Sequence, residues 1–199
     1  TVRRVGGTKN PDLDAIRALL PDLVVANKEE NRELDVRRLR DSGIDVWVTD
    51  IQTVPQAVTS LERLFGEALL WERPAWLATA RSLWCGALPP VTRRVAIAIW
   101  RDPWMVVGRS TFTGDLVRRL GWENVFADHE DRYPRLALEA LDGSDADAVL
   151  LPDEPYVFTE GDGPEAFSKA PVQLVSGRLL TWYGPSMVLA HTTLERGAG

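Results

Sequence analysis

Two stretches of this chain are built alike, and the repetition limits the fold more than any single motif. PDLDAIRALLPDLVVANKEEN, from residue 11, and PRLALEALDGSDADAVLLPDEPY, from residue 134, share one layout: a helix, a turn with aspartate, four apolar strand residues, then a polar loop containing glutamate. Each is followed by a helix-compatible stretch and a closing strand, DVWVTD in the first copy and PVQLVSG in the second. Strand, crossover and parallel strand form the unit of α/β folds, and such crossovers are right-handed. The expected fold is therefore α/β, with two similar lobes whose parallel sheets are flanked by helices.

The sequence between the copies is helix-rich from Val54 to about Cys85, and Pro74 divides it into two helices. The predicted boundaries are residues 1–70 for the first lobe, 71–90 for a connecting backbone helix and 91–199 for the second lobe. A helical bridge holds its ends more firmly than a Gly/Ser linker, so large hinge motion is not expected. The second lobe opens with the strand RRVAIAIW, the loop WRDPWMVVGRS and the helix TFTGDLVRRLGW, for which the first lobe has no counterpart. The first lobe is accordingly read as incomplete, truncated on its N-terminal side, with exposed strand edges.

Charge and residue inventory exclude several classes of function. A net charge of −6 with no basic stripe argues against a nucleic-acid partner. No apolar run reaches the roughly 18 residues of a membrane-spanning helix, and TVRRVGGTKN lacks the basic and apolar regions of an export signal. Cys85 is the single cysteine, which leaves no intramolecular disulfide and no thiolate cluster; it is read as a small buried hydrophobe. His129 in HEDRYP reads as part of a surface turn and His191 in AHTTLE as part of a helix end. No G-x-S-x-G, H-E-x-x-H or C-x-x-C occurs, and VGGT lacks both the dinucleotide spacing and a Walker lysine. Asp153 and Glu154 read as a solvated loop pair. The alternative, a small α/β enzyme, sets them with Arg101 against a phosphorylated or sugar-like substrate.

Open α/β sheets bind ligands at the carboxyl ends of their strands. The loops placed there are GGTKN (6–10), ANKEEN (26–31), WRDPW (100–104), PDEPYVF (152–158) and TWYGPS (181–186). Trp100, Trp104, Tyr156, Phe158, Trp182 and Tyr183 crowd the last three. Rings give large contact area at little entropic cost, so the group reads as the wall of a flat-sided cleft.

As an ordered set, VGGTKNPDLDAIRALLPDLVVANKEEN, WRDPWMVVGRSTF, RYPRLALEAL, VLLPDEPYVF and LLTWYGPS resembles the class III solute-binding proteins of ABC importers, receptors for cobalamin, ferric siderophores and similar metal chelates. The resemblance implies two α/β lobes on a helical backbone with a shallow ligand cleft between them. It also implies a non-catalytic function, no intrinsic cofactor, and a permease dimer with its ATPase as partner. An extracytoplasmic place follows for the family, with a cytoplasmic one left open here; a non-transporting sensor of the same fold is a further alternative. The six rings would line the cleft, and Lys9, Asn27, Lys28 and Arg101 would reach polar edges of the ligand, with no metal ligands from the protein. Cobalamin-binding members carry an aromatic ring where this sequence has Asn27. Family members dock through one acidic residue per lobe; Glu33 in ENRELDV and Glu139 in LALEAL are similar to that pair, read as like places in the two copies.

Overall fold

The structure, a computed structural model, describes residues 2–196. Its elements in chain order are β1 (Gly6–Gly7), β2 (Asn10–Pro11), α1 (Leu13–Ala18), β3 (Val24–Asn27), α2 (Glu33–Asp41), β4 (Val46–Thr49), α3 (Val54–Arg63), α4 (Ala75–Trp84), β5 (Arg93–Trp100), β6 (Met105–Val106), α5 (Phe112–Arg119), β7 (Trp122–Asn124), α6 (Leu138–Asp142), β8 (Ala148–Pro152), β9 (Val172–Val175), α7 (Gly177–Thr181) and α8 (Ser186–Arg196). A π-helical turn, Leu64–Ala68, continues α3. The chain divides into a smaller unit, residues 1–50 and 60–73, and a larger one, residues 51–59 and 74–199.

In the smaller unit β3 and β4 pair in parallel, Val24 opposite Val46 through Asn27 opposite Thr49, with α2 as the crossover. Asp12 caps α1 by accepting from the Ala15 N–H at 2.9 Å, as its position before the apolar run requires. The helix then stops at Ala18, so only Ile16 of the anticipated apolar face is buried; Leu20, at φ 48°, stands 86% exposed. Val25 on β3 is likewise 52% exposed, although the continuous apolar run LVVA, as in a strand buried on both faces, predicts an inward position.

The larger unit carries the main core. Its sheet runs β6, β5, β8, β9, and β7 also pairs with β5. The β5–β8, β8–β9 and β5–β7 pairs are parallel, whereas β6 folds back antiparallel on β5. Val95, Ala96, Ile97 and Ala98 are almost fully buried, as are Val149, Leu150 and Leu151 of β8. Each fully buried aliphatic side chain of this size stabilises the fold by about 1.5–3 kcal/mol. Two helix ends converge on α5: Asp115 accepts from the Val54 N–H at the start of α3 at 2.7 Å, while Arg119 donates to the Trp84 carbonyl at the end of α4 at 2.8 Å. An acid at an N-terminus and a cation at a C-terminus both complement the helix dipole, and a 2.7 Å contact between Arg119 and Asp115 joins them.

Several local expectations change. PRLALEAL is helical only from Leu138, because Pro134 and Leu136 exchange backbone hydrogen bonds with Val106 and Trp104 and run as an extension beside β6. Cys85 is half-buried after α4 rather than buried. His129 accepts from the Asp131 N–H in a turn, and His191 packs edge-on against Trp84 at 4.9 Å, both structural placements.

Candidate functional site

In the smaller unit, a hairpin and the ends of two parallel strands meet. Gly6 and Gly7 pair with Pro11 and Asn10, so GGTKN is a β-turn rather than a strand-end loop. Its tip is tied to the loop after β3: Asn31 donates to the Thr8 carbonyl at 2.9 Å, Thr8 donates to Glu30 at 3.1 Å, and Lys9 donates to the Glu29 carbonyl. Asn27 organises that loop from within, its side-chain oxygen accepting from the Glu29 N–H and its own N–H donating to Asn31, each at 2.8 Å. Lys28 meets Asp50, beyond β4, at 2.5 Å. Lys9, Asn27 and Lys28 thus belong to one loop cluster, with both lysines held by their own surroundings.

In the larger unit, WRDPW is the turn of the β5–β6 hairpin, with Ala98 opposite Val106 and Trp100 opposite Met105. The return of the chain gives its two tryptophans opposite fates. Trp104 is 6% exposed, stacked nearly parallel to Phe158 at 5.8 Å and edge-on to Phe167 at 5.2 Å. Trp100 is 43% exposed and meets the edge of Tyr156 at 5.5 Å. Tyr156 in turn leans on Phe158 at 4.6 Å, which makes a graded set: buried Trp104 and Phe158, half-buried Tyr156, open Trp100. This corrects the reading of Trp104 and Phe158 as ligand walls. At 6% and 3% exposure they are core, and they support the rings that face out.

Arg101 also differs from its expected role as a free donor. Its side chain, 19% exposed, lies over Trp104 at 5.4 Å and is engaged by Asp162, by Glu165 at 2.6 Å and by Asp102 at 3.6 Å. The hydrogen bond to Glu165 raises the guanidinium pKa, with Asp162 adding to it, and the same bond holds the Glu165 carboxyl below its usual range. Asp162 also accepts from the Tyr156 hydroxyl at 2.7 Å, which pushes the phenol upward. Half-exposed pairs of this kind are screened, so what they fix is geometry: they hold the 159–165 loop against the ring set. Gly163, at φ 125°, permits the approach, since a Cβ there would lie 2.6 Å from the Phe158 ring.

Asp162 and Glu165 were not among the residues singled out from the sequence. They lie 61 and 64 residues from Arg101, and the one available signal was that a half-buried arginine needs counter-charges.

TWYGPS follows helix α7 rather than a strand, so it is not a strand-end loop. Trp182 is 54% exposed under Arg178, and Tyr183 meets the edge of Phe112 at 5.5 Å. Asp153 accepts from the Gly177 N–H at 2.6 Å, at the start of α7, and a Cβ on Gly177 would lie 2.5 Å from Glu154 Cγ. The two acids therefore brace the β8–α7 junction. Glu33 is exposed and 3.3 Å from Arg37; Glu139 is exposed in the first turn of α6. Glu33 heads the helix after β3 whereas Glu139 sits in the helix before β8, so their places in the two copies are not equivalent. Among the described residues no group of three His, Cys, Asp or Glu could hold a metal ion, and no helix is long and apolar enough to cross a membrane.

Asp142, 8% exposed at the end of α6, accepts from the N–H groups of Ser168, Lys169 and Ala170 and from the Ser168 hydroxyl. The Ala170 and Lys169 bonds lead in pulling its pKa well below the usual carboxylate range. A depressed folded-state value contributes stability above the unfolded value, about 3.9, that is lost as pH falls through the folded one. Asp142→Asn is expected to lower Tm at pH 7 by on the order of 5 °C. The deficit should shrink in thermal melts taken from pH 4 down to pH 2; parallel curves for variant and parent would remove the carboxylate from this role.

No protein-family model matches the chain. Over 155 residues, 75% of the chain, it is 26% identical to the vitamin B12-binding protein of Salmonella typhi, and it spans about 58% of that relative's length. The solved periplasmic vitamin B12-binding protein of Vibrio cholerae superposes with a TM-score of 0.76 at 17% identity, covering 98% of this chain and 81% of that one. A periplasmic heme-binding protein from Pseudomonas aeruginosa gives 0.74 at 19% identity, covering 96% and 76%. At such identities the solved structures establish a shared fold.

Proposed function

We propose that this chain, a relative of the vitamin B12-binding proteins with the fold of the class III solute-binding proteins, is the capture component of an ABC importer and takes a metal chelate of the cobalamin or ferric-siderophore type. The observation that carries the reading is the outward pair Trp100 and Tyr156, seated on buried Trp104 and Phe158 where β5 turns back on itself. A rigidly backed, partly exposed indole offers a flat apolar face to a macrocycle or chelate. Trp182 would add a second face and Tyr183 a ring behind it. The chemistry is binding without turnover: Asp153, the proposed acid or base of the enzyme alternative, is engaged at the start of α7. Handover would occur outside the cytoplasm to a permease dimer and its ATPase, with Glu33 and Glu139 as the docking acids, both exposed at helix starts.

Titration with cyanocobalamin and with a ferric trihydroxamate, read by quenching of tryptophan fluorescence, is expected to saturate with a Kd in the micromolar range or tighter, on the order of −8 kcal/mol. The absence of a saturable response to either probe would sink the reading. Glu33→Ala and Glu139→Ala should leave these titrations unchanged and abolish capture by the solubilised permease; retained capture would remove the docking role.

A further inference from the structure

We infer that the Trp100 and Tyr156 ring set of the larger unit selects against anionic chelates, and that the ligand is one whose rim is uncharged. The inference deepens the proposed capture function and rests on it. The cation next to Trp100 already has acids beside it: Arg101 is gripped by Glu165 and Asp162 and lies 3.6 Å from Asp102. Arg178 on α7 lies over Trp182.

Around the Trp100 and Tyr156 rings the balance is one-sided. Arg101 is the single cation of residues 100–104 and 159–165, against Asp102, Glu160, Asp162 and Glu165. The hydrogen bond from Arg101 holds the Glu165 carboxyl below its usual range. An arginine that is to receive a carboxylate or catecholate must present its fork, but here Nη1 is taken by Asp162 and Glu165 and Nε is buried, 3.6 Å from Asp102. A polyanion approaching the rings would meet a negative rim without a free partner, whereas amide or hydroxamate edges need only hydrogen bonds and stacking.

The experiment compares two ferric chelates alike in metal and differing in charge, a neutral trihydroxamate and a trianionic triscatecholate, alongside neutral cyanocobalamin and hemin, which carries two propionates. The expected result is that the anionic probe of each pair binds at least about tenfold more weakly at low salt, with the gap closing as ionic strength screens the rim. Asp102→Asn combined with Glu160→Gln should narrow it by about threefold. Anionic chelates binding as tightly as neutral ones, or a gap indifferent to both salt and the double variant, would overturn the inference while leaving the capture function in place. Failure of all four probes would overturn both.

Discussion

Trp104→Ala is expected to cost about 3–5 kcal/mol of unfolding free energy, the range for emptying a buried tryptophan site, and to lower Tm by roughly 10 °C. The size follows from what the indole touches. It stacks on Phe158, abuts Phe167, lies beneath Arg101 and belongs to the core cluster with Ala96, Ala98, Val106, Leu141, Val149 and Leu151. Neighbours drawn from β5, β6, α6 and β8 cannot all move inward to fill the space. Urea unfolding followed by far-UV circular dichroism checks it; a loss under about 1 kcal/mol would mean the ring is dispensable to the core.

Trp100→Ala should show the reverse balance. Its indole is 43% exposed and makes one ring contact, with Tyr156, so stability is expected to change by less than about 1.5 kcal/mol. Chelate affinity, by contrast, should fall by about 30-fold or more, the loss associated with removing an aromatic anchor worth at least about 2 kcal/mol. The fluorescence titration proposed above, run on this variant, measures it. An unchanged Kd would take the ligand away from this ring set. Two tryptophans four positions apart are thus expected to separate stability from binding.

That separation marks the limit of what the sequence discloses. The strands were legible: LVVA, DVWVTD, RRVAIAIW, AVLL and PVQLVSG carry apolar runs of strand length, and strands form over VVAN, VWVT, RRVAIAIW, AVLLP and VQLV. Helices with strong local signals, α2 and α5, also form where expected. WRDPW was legible as a break but not as a hairpin, because its partner strand β6 is only two residues long and carries no period of its own. Which tryptophan turns inward depends on that pairing, so both looked like loop rings. Arg101 read as a free donor for a similar reason: its acids come from a loop far along the chain, and no local pattern links them. The shortening of α6 is tertiary as well, since Pro134–Leu136 pair with β6 instead of adding a helical turn.

The clamp formed by Asp142 has a further consequence. By gripping Ser168, Lys169 and Ala170 it fixes where the backbone re-enters the sheet as β9, while buried Phe158 anchors the other end of the loop in the core. Residues 159–167 thereby hang between two fixed points, the second of them just ahead of Val172 in its register with Val149.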